Sequence, residues 1–278
     1  MKTILVPTDF SEVAYCAAAY AMEMAKISSA KVILFYAYQI PVASPDGTIV
    51  VPLDTIRDES ISNLKQIVQE FRNKYTEVNI DYQIACGFAV DEIKQAAAEL
   101  QADLIVMGMQ GGGFVSEKVI GSTTTALIKK SNCPILVIHK GAKFKPIEKI
   151  ALACDYYGLN YSIALKQLND LVNLFHSKIL VVNVVKEMDE ISTEAKATEG
   201  IKLNRALNGT KHSFHYTLNT DITDGITEFV KENEIDLIAM ITHEHTIYET
   251  LFKESHTKHM AFQVAKPFLV IHDEKQKN

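Results

Sequence analysis

The chain repeats itself, and this repeat constrains the fold more than any other feature of the sequence. Residues 236–272 align without a gap on residues 103–139, at an offset of 133, and 11 of the 37 positions are identical. The segment KIALACD at 149–155 also matches TILVPTD at 3–9. A period of about 140 residues indicates a duplicated domain, because solenoid units are much shorter. Each half is also long enough to bury a core of its own.

The first half alternates between strand and helix patterns. Short apolar runs predict the strands Thr3–Val6, Lys31–Tyr38, Val78–Cys86, Leu104–Met107 and Ile135–Ile138. Helical stretches lie between them at Ser11–Ile27, Asp54–Lys74, Asp91–Leu100 and after Ser122. This alternation predicts an α/β fold with a parallel sheet and helices on both faces. We therefore expect two such domains, residues 1–141 and 147–278, with a linker near 141–146.

The segment between the fourth and fifth strands is rich in glycine. Its spacing is G-x2-G-x9-G-S, formed by Gly108, Gly111, Gly121 and Ser122. Loops of this kind at the start of a helix suit anions, because unpaired backbone N–H groups point outward and no Cβ blocks a phosphate. The pattern is neither a GxxxxGK[ST] loop nor a GxGxxG loop. It predicts a phosphate site made by these four residues and the hydroxyl of Thr123.

This loop, with DLIVMG before it and CPILVI after it, resembles the ATP-binding signature of the universal stress protein family. The opening KTILVPTDFS resembles the first strand and turn of that family. The resemblance implies a tandem member with two Rossmann-like (adenine nucleotide α-hydrolase-like) domains, each a five-stranded parallel sheet, related by a pseudo-twofold axis. It implies that Asp9 contacts the nucleoside and that the backbone of Ala37 meets adenine. It also implies that the last strands, Ile135–Ile138 and Phe268–Ile271, pair with each other.

The two halves differ at the glycine loop. At the offset of 133, the three glycines of the pattern become Ile241, Glu244 and Glu254. Two carboxylates would repel a phosphate in a partly buried site, at a cost of kilocalories rather than tenths. We therefore expect ATP, with magnesium on its phosphates, to bind to the N-terminal domain only.

Histidines are concentrated in the second half, where eight of the nine lie after residue 142. Four fall in the segment that replaces the glycine loop: His243, His245, His256 and His259. Imidazole is a ligand that zinc takes, so this segment could have become a zinc site. The alternative is a set of polar residues that fill a vacated cleft, because no complete zinc spacing is present.

The roles of three residues, Asp9, Lys118 and Gln110, are left open by the sequence. Asp9 could be a turn residue before the helix N-cap Ser11 rather than a ligand residue. Lys118 could reach a phosphate, or it could be a solvated surface lysine. Gln110 stands where many members of the family have histidine, so a side-chain role at that position is in doubt.

Composition narrows the classes of partner. The net charge is −6 and neither half has a basic excess, so nucleic acid is not an expected partner. The four cysteines show no CxxC pattern, which is typical of reduced thiols in a cytoplasmic protein. No apolar run approaches the ~20 residues that span a bilayer, and two residues before the first strand leave no room for a signal peptide.

Three functions are compatible with these sequence features. The first is a nucleotide-binding stress-response protein with at most slow ATP hydrolysis, because no residue is identified as a general base. The second is an adenylating enzyme of a related superfamily, but no catalytic cluster supports it. The third is a scaffold with empty sites that would bind partners through the apolar residues of the loop at 39–54. A further homodimer stays open.

Overall fold

Strands and helices alternate along both halves of the chain, as the apolar runs predict. The computed structural model describes residues 1–39, 53–109, 121–156, 161–187, 194–242 and 266–272. The first half contains β1 (Thr3–Pro7), α1 (Glu12–Ser28), β2 (Lys31–Tyr38), α2 (Leu53–Lys74), β3 (Ile80–Cys86), α3 (Ala89–Glu99), β4 (Leu104–Met109), α4 (Ser122–Lys130) and β5 (Ile135–His139). The second half contains β6 (Lys149–Ala153), α5 (Tyr161–Phe175), β7 (Lys178–Val185), α6 (Glu194–Ala206), β8 (His212–Leu218), α7 (Ile222–Glu232), β9 (Leu237–Thr242) and β10 (Phe268–His272).

All of these strands belong to one sheet, in the order β3-β2-β1-β4-β5-β10-β9-β6-β7-β8. Strands within each half are parallel. The halves meet where β10 runs antiparallel to β5, with Leu269 opposite Leu136. The α/β class, with a mainly parallel sheet, is therefore confirmed. The contact also pairs the two strands that the family resemblance implied, and it covers their otherwise exposed edges.

The repeat is visible in the hydrogen bonds as well as in the sequence. The Asp103 carboxylate accepts hydrogen bonds from the backbone N–H groups of residues 2 and 3, at 2.5 and 2.9 Å. The Asp236 carboxylate accepts the same pair of bonds from residues 148 and 149, both at 3.0 Å. Each aspartate thus ties the start of one strand to its neighbour, β4 to β1 and β9 to β6.

Apolar side chains cover both faces of the sheet. One cluster packs α1, α2, α5 and α6 on one face, and the other packs α3, α4 and α7 on the opposite face. Each cluster contains strand residues of both halves, so the halves share their cores. The buried side chains of α1 include five alanines, at positions 14, 17, 18, 21 and 25. These small side chains let α1 lie close to the strands, as the sequence predicts.

In the first half, β1 and β5 each end one residue later than predicted, and two other strand boundaries differ by two residues. β3 begins at Ile80 rather than Val78, and β4 continues two residues past Met107. The extension of β4 follows from its partner, because Gly108 and Met109 pair with Ile138 and His139 of β5. Gly108 therefore lies inside a strand and not in the loop that follows. Within the described residues, no helix is long and apolar enough to cross a membrane.

Candidate functional site

The strand order places a topological switch point beside β1. The chain runs from β1 outward to β2 and β3, and then returns to β4 on the other side of β1. In open α/β sheets, ligands bind outside the carboxyl ends of the strands at such a point. The candidate site therefore lies beyond Pro7 of β1 and Met109 of β4.

Asp9 lies in the turn after β1 and has a structural role there. Its Oδ1 accepts hydrogen bonds from the backbone N–H of Ser11, at 3.0 Å, and from the Ser11 hydroxyl, at 2.5 Å. Ser11 is the N-cap of α1 and its side chain accepts from the N–H of Ala14, as predicted. The Oδ2 atom of Asp9 accepts no hydrogen bond from a described residue, and the side chain is exposed. The turn role thus occupies one carboxylate oxygen, and the other has no hydrogen bond from the described part of the chain.

The backbone groups of Ala37 face the space beyond the end of β1. The N–H of Thr8 donates to the carbonyl of Phe35, at 2.8 Å, so the groups of Phe35 point toward β1. Backbone groups two residues apart on a strand point to the same side, and Ala37 therefore has the same direction. Pairing between β1 and β2 ends at Phe35. An N–H and a carbonyl of Ala37 are thus placed where a planar base could meet them.

Gly108 is held in place by packing. A Cβ at this position would lie 2.6 Å from the carbonyl oxygen of Val13 and 2.8 Å from its carbonyl carbon, and both atoms belong to the backbone of α1. Only glycine allows α1 to approach β4 this closely. Sequence reasoning missed this role, because it assigned the glycine to phosphate binding alone. The alanine-rich face of α1 is the sequence signal that could have suggested it.

Gly121 differs from Gly108 because packing against the described residues does not require a glycine there. It is the N-cap of α4, with a φ of −51°. Among the described residues, the nearest atom to an added Cβ is the hydroxyl of Thr124 at 3.9 Å. The residue is exposed. A glycine that neither packing nor backbone conformation demands is compatible with the close approach of a ligand.

The first turn of α4 has backbone N–H groups without a helical partner, and a side-chain hydrogen bond ties this turn to β4. The first helical hydrogen bond runs from the N–H of Thr125 to the carbonyl of Gly121, at 3.0 Å, so the N–H groups of residues 122–124 have no partner within the helix. The buried Thr124 hydroxyl donates to the carbonyl of Gly108, at 3.4 Å. This contact brings Ser122 and Thr123 to the carboxyl end of β4. A helix N-terminus with free N–H groups can bind an anion there.

The equivalent site of the second half is lined by different side chains. Ile241, at the position of Gly108, is buried among the apolar residues on the face of α5. Asn183 on β7 is also buried; its amide donates to the carbonyl of Cys154, at 2.7 Å, and its Oδ1 accepts from the Lys196 ammonium, at 3.4 Å. The second half thus has a buried apolar side chain where the first half has Gly108, and a hydrogen-bonded amide beside it.

Several predicted site residues lie outside the described residues. They are Gly111, Gln110, Lys118, His243, His245, His256 and His259. The part of the chain that the structure describes contains no group of three or more potential metal ligands. The four cysteines, all of which lie in the described part of the chain, form no disulfide. The magnesium and zinc hypotheses stay predictions.

Comparisons with known proteins give one consistent result. The model of the universal stress protein family matches residues 1–139. The chain is 32% identical over 145 residues to universal stress protein MJ0531 of Methanocaldococcus jannaschii, which covers 51% of this chain and 84% of that protein. It is 30% identical over 139 residues to universal stress protein Sll1654 of Synechocystis, which covers 49% and 85%.

The fold of the whole chain is also found in solved structures. A universal stress protein from Archaeoglobus fulgidus has a TM-score of 0.75 at 17% identity, and the match covers 98% of both chains. A putative universal stress protein from Pseudomonas aeruginosa has a TM-score of 0.58 at 14% identity, covering 98% of this chain and 93% of that one. At these identities the likeness shows the fold alone.

Proposed function

This chain belongs to the universal stress protein family, and from that premise we propose that its first half binds ATP as part of a stress response. The nucleotide would lie beyond the carboxyl ends of β1, β2 and β4. The observation that carries the proposal is Gly121, a helix N-cap that neither its backbone conformation nor packing against the described residues requires to be glycine.

Each part of the nucleotide has a suitable partner in this arrangement. The free N–H groups of the first turn of α4, with the hydroxyls of Ser122 and Thr123, suit the phosphates. The open Oδ2 of Asp9 suits a ribose hydroxyl. The N–H and carbonyl of Ala37 suit the edge of adenine. Magnesium would accompany the phosphates, because bound ATP is normally a magnesium complex.

The second half is proposed to bind no ATP. Ile241 stands in place of Gly108, and Glu244 and Glu254 replace the two glycines of the loop. Their negative charges oppose a phosphate, and their Cβ atoms restrict the approach of the backbone. The proposed function is nucleotide binding rather than efficient turnover, since no general base is identified at either site.

Calorimetric titration of Mg-ATP into the full chain tests this proposal. The wild type should show one site per chain, and Gly121→Glu should weaken binding at least about tenfold, because it places a carboxylate at the phosphate position. Gly200→Glu, in α6, is the matched control and should bind like the wild type. Its Cβ would meet only an ordinary contact, at 3.8 Å from the Tyr156 ring.

Three outcomes of the titration would contradict the proposal. Equal affinity in Gly121→Glu and the wild type would remove the α4 N-terminus from the site. Two sites per chain would show that the second half binds as well. No binding of Mg-ATP would favour the scaffold function.

A further inference from the structure

A second open space lies at the other end of the first-half strands. This cavity of about 560 Å³ is lined by residues at the start of β4 and by residues just before β5. Its walls come from α3 of the first half and α5 of the second half, and most of its surface is contributed by apolar side chains such as Ala97, Leu104, Leu171 and Leu174. A concave space of this volume between two domains is typical of small-molecule sites.

The internal symmetry predicts an equivalent space, called the twin below, between α1 and the start of the second-half strands. The residues that end α1 and α5, Ser29 and His176, are both left-handed, with φ of 56° and 54°. This alignment places Gln167 of α5 at the position of Tyr20 in α1. Gln167 lines the cavity together with Asp103. In the twin, Tyr20 and Asp236 are the counterparts of Gln167 and Asp103. Burial raises the pKa of Tyr20 most, and the nearby Asp236 carboxylate raises it further. Tyr20 and Asp236 are therefore neighbours, as Gln167 and Asp103 are.

The twin is filled by an aromatic side chain of the linker. The ring of Phe144 lies 5.1 Å from the ring of Tyr20 and 6.1 Å from that of Phe175, measured between centroids. Phe144 is the fifth residue after β5. At the offset of 133, Lys277 takes its place, and residues 273–278 contain no apolar side chain. No aromatic side chain is among the described residues that line the cavity.

The polar groups of the cavity define what could replace that ring. The Oε1 atom of Gln167 is buried and has no hydrogen-bond partner among the described residues. Lys94 of α3 and Lys166 of α5 form no ion pair with a described residue, so each half supplies one lysine without an acidic partner. The charge of Asp103 is already engaged by two backbone N–H groups. In formal charge Asp103 and Asp170 balance the two lysines, and the two ammonium groups are the lining charges that an anion could meet, because neither has an ion pair with a described residue.

We propose that this cavity binds a small aromatic monoanion. Its aromatic body would occupy the space that Phe144 fills in the twin. Its negative group would lie between the two lysines, and a hydrogen-bond donor would meet the Oε1 of Gln167. The site is independent of the nucleotide site, which lies at the opposite end of β4.

The test uses 1-anilinonaphthalene-8-sulfonate, an aromatic monoanion with one N–H donor, in fluorescence titrations of the full chain. Ala98 lines the cavity and is exposed, so Ala98→Trp should obstruct the site without disturbing the core. Ala197→Trp, at an exposed position of α6, is the matched control. The wild type and Ala197→Trp should bind the dye at one saturable site, and Ala98→Trp should weaken it at least tenfold. Equal binding in all three proteins, no binding to the wild type, or displacement by Mg-ATP would overturn the proposal.

The charge of the ligand is tested with the neutral analogue N-phenyl-1-naphthylamine, which has the same aromatic body without the sulfonate. The double variant Lys94→Met with Lys166→Met should weaken binding of the sulfonate about threefold to tenfold, as expected for two partly exposed ion pairs. Binding of the neutral analogue should stay unchanged. An equal loss for both dyes would overturn the preference for an anion.

Discussion

Replacing Gly108 by alanine tests whether packing against α1 requires this glycine. The new Cβ would lie 2.6 Å from a backbone oxygen of Val13, whereas ordinary contact begins at 3.4 Å. α1 would therefore have to move from β4 by several tenths of an ångström. Overpacking of a well-packed interface costs roughly 1–3 kcal/mol. For a protein of this size, we expect the Tm to fall by about 3–10 °C in thermal unfolding followed by circular dichroism without nucleotide.

The matched control is Gly121→Ala, because among the described residues the same added methyl group meets one atom, at 3.9 Å, and the backbone φ of −51° suits alanine. Its free energy of unfolding should change by no more than about 0.5 kcal/mol. If Gly108→Ala unfolds at the wild-type temperature, the steric reasoning is refuted. If it also loses Mg-ATP binding, the ligand rather than α1 requires the glycine.

Three further predictions concern residues away from the nucleotide site. Phe144→Ala should lower the free energy of unfolding by about 2 kcal/mol, because it leaves a space beside Tyr20, and it should add a second dye site in the fluorescence titration. Burial lowers the pKa of His272 below 6.5, against the raising effect of its hydrogen bond with the carbonyl of Ile128. Just below pH 6.5 the unfolded chain therefore binds more protons than the folded chain, and the wild type should lose stability as the pH falls. His272→Gln should lose less stability over the same range. Urea unfolding between about pH 5 and 7 measures both changes. Asp103→Asn should cost about 1–2 kcal/mol in urea unfolding, since two backbone N–H groups lose a charged acceptor.

The duplication supplies controls for two of these predictions. Asp236→Asn makes the same change at the equivalent junction of β9 and β6, and a loss there much smaller than for Asp103→Asn would contradict the common role of the two aspartates. His139→Gln changes the equivalent residue of β5. If it reduces the loss of stability at low pH as much as His272→Gln does, burial of His272 is not the cause.

The sequence predicts the fold well because the repeat and the alternation of apolar runs are local patterns. The approximate positions of the strands and the N-cap Ser11 follow from such patterns. The role of Gly108 does not, because it depends on the approach of a helix that lies 95 residues earlier in the chain. The sequence does not predict the packing role of Phe144 either, because that role depends on contacts with the rings of Tyr20 and Phe175. The direction of the Ala37 backbone groups also requires the register between β1 and β2.

The two halves have diverged in how they use the space at the ends of their strands. Antiparallel joining of two parallel sheets creates a pair of equivalent spaces at the carboxyl ends and a second pair at the amino ends. In both pairs, the space beside the second-half strands contains protein side chains, Asn183 with Ile241 at one end and Phe144 at the other. Their counterparts, where the two ligands are proposed to bind, both adjoin β4 of the first half. Since filling a space adds buried contacts, we expect Ile241 and Phe144 to stabilise the shared sheet at positions whose counterparts are proposed to meet ligands.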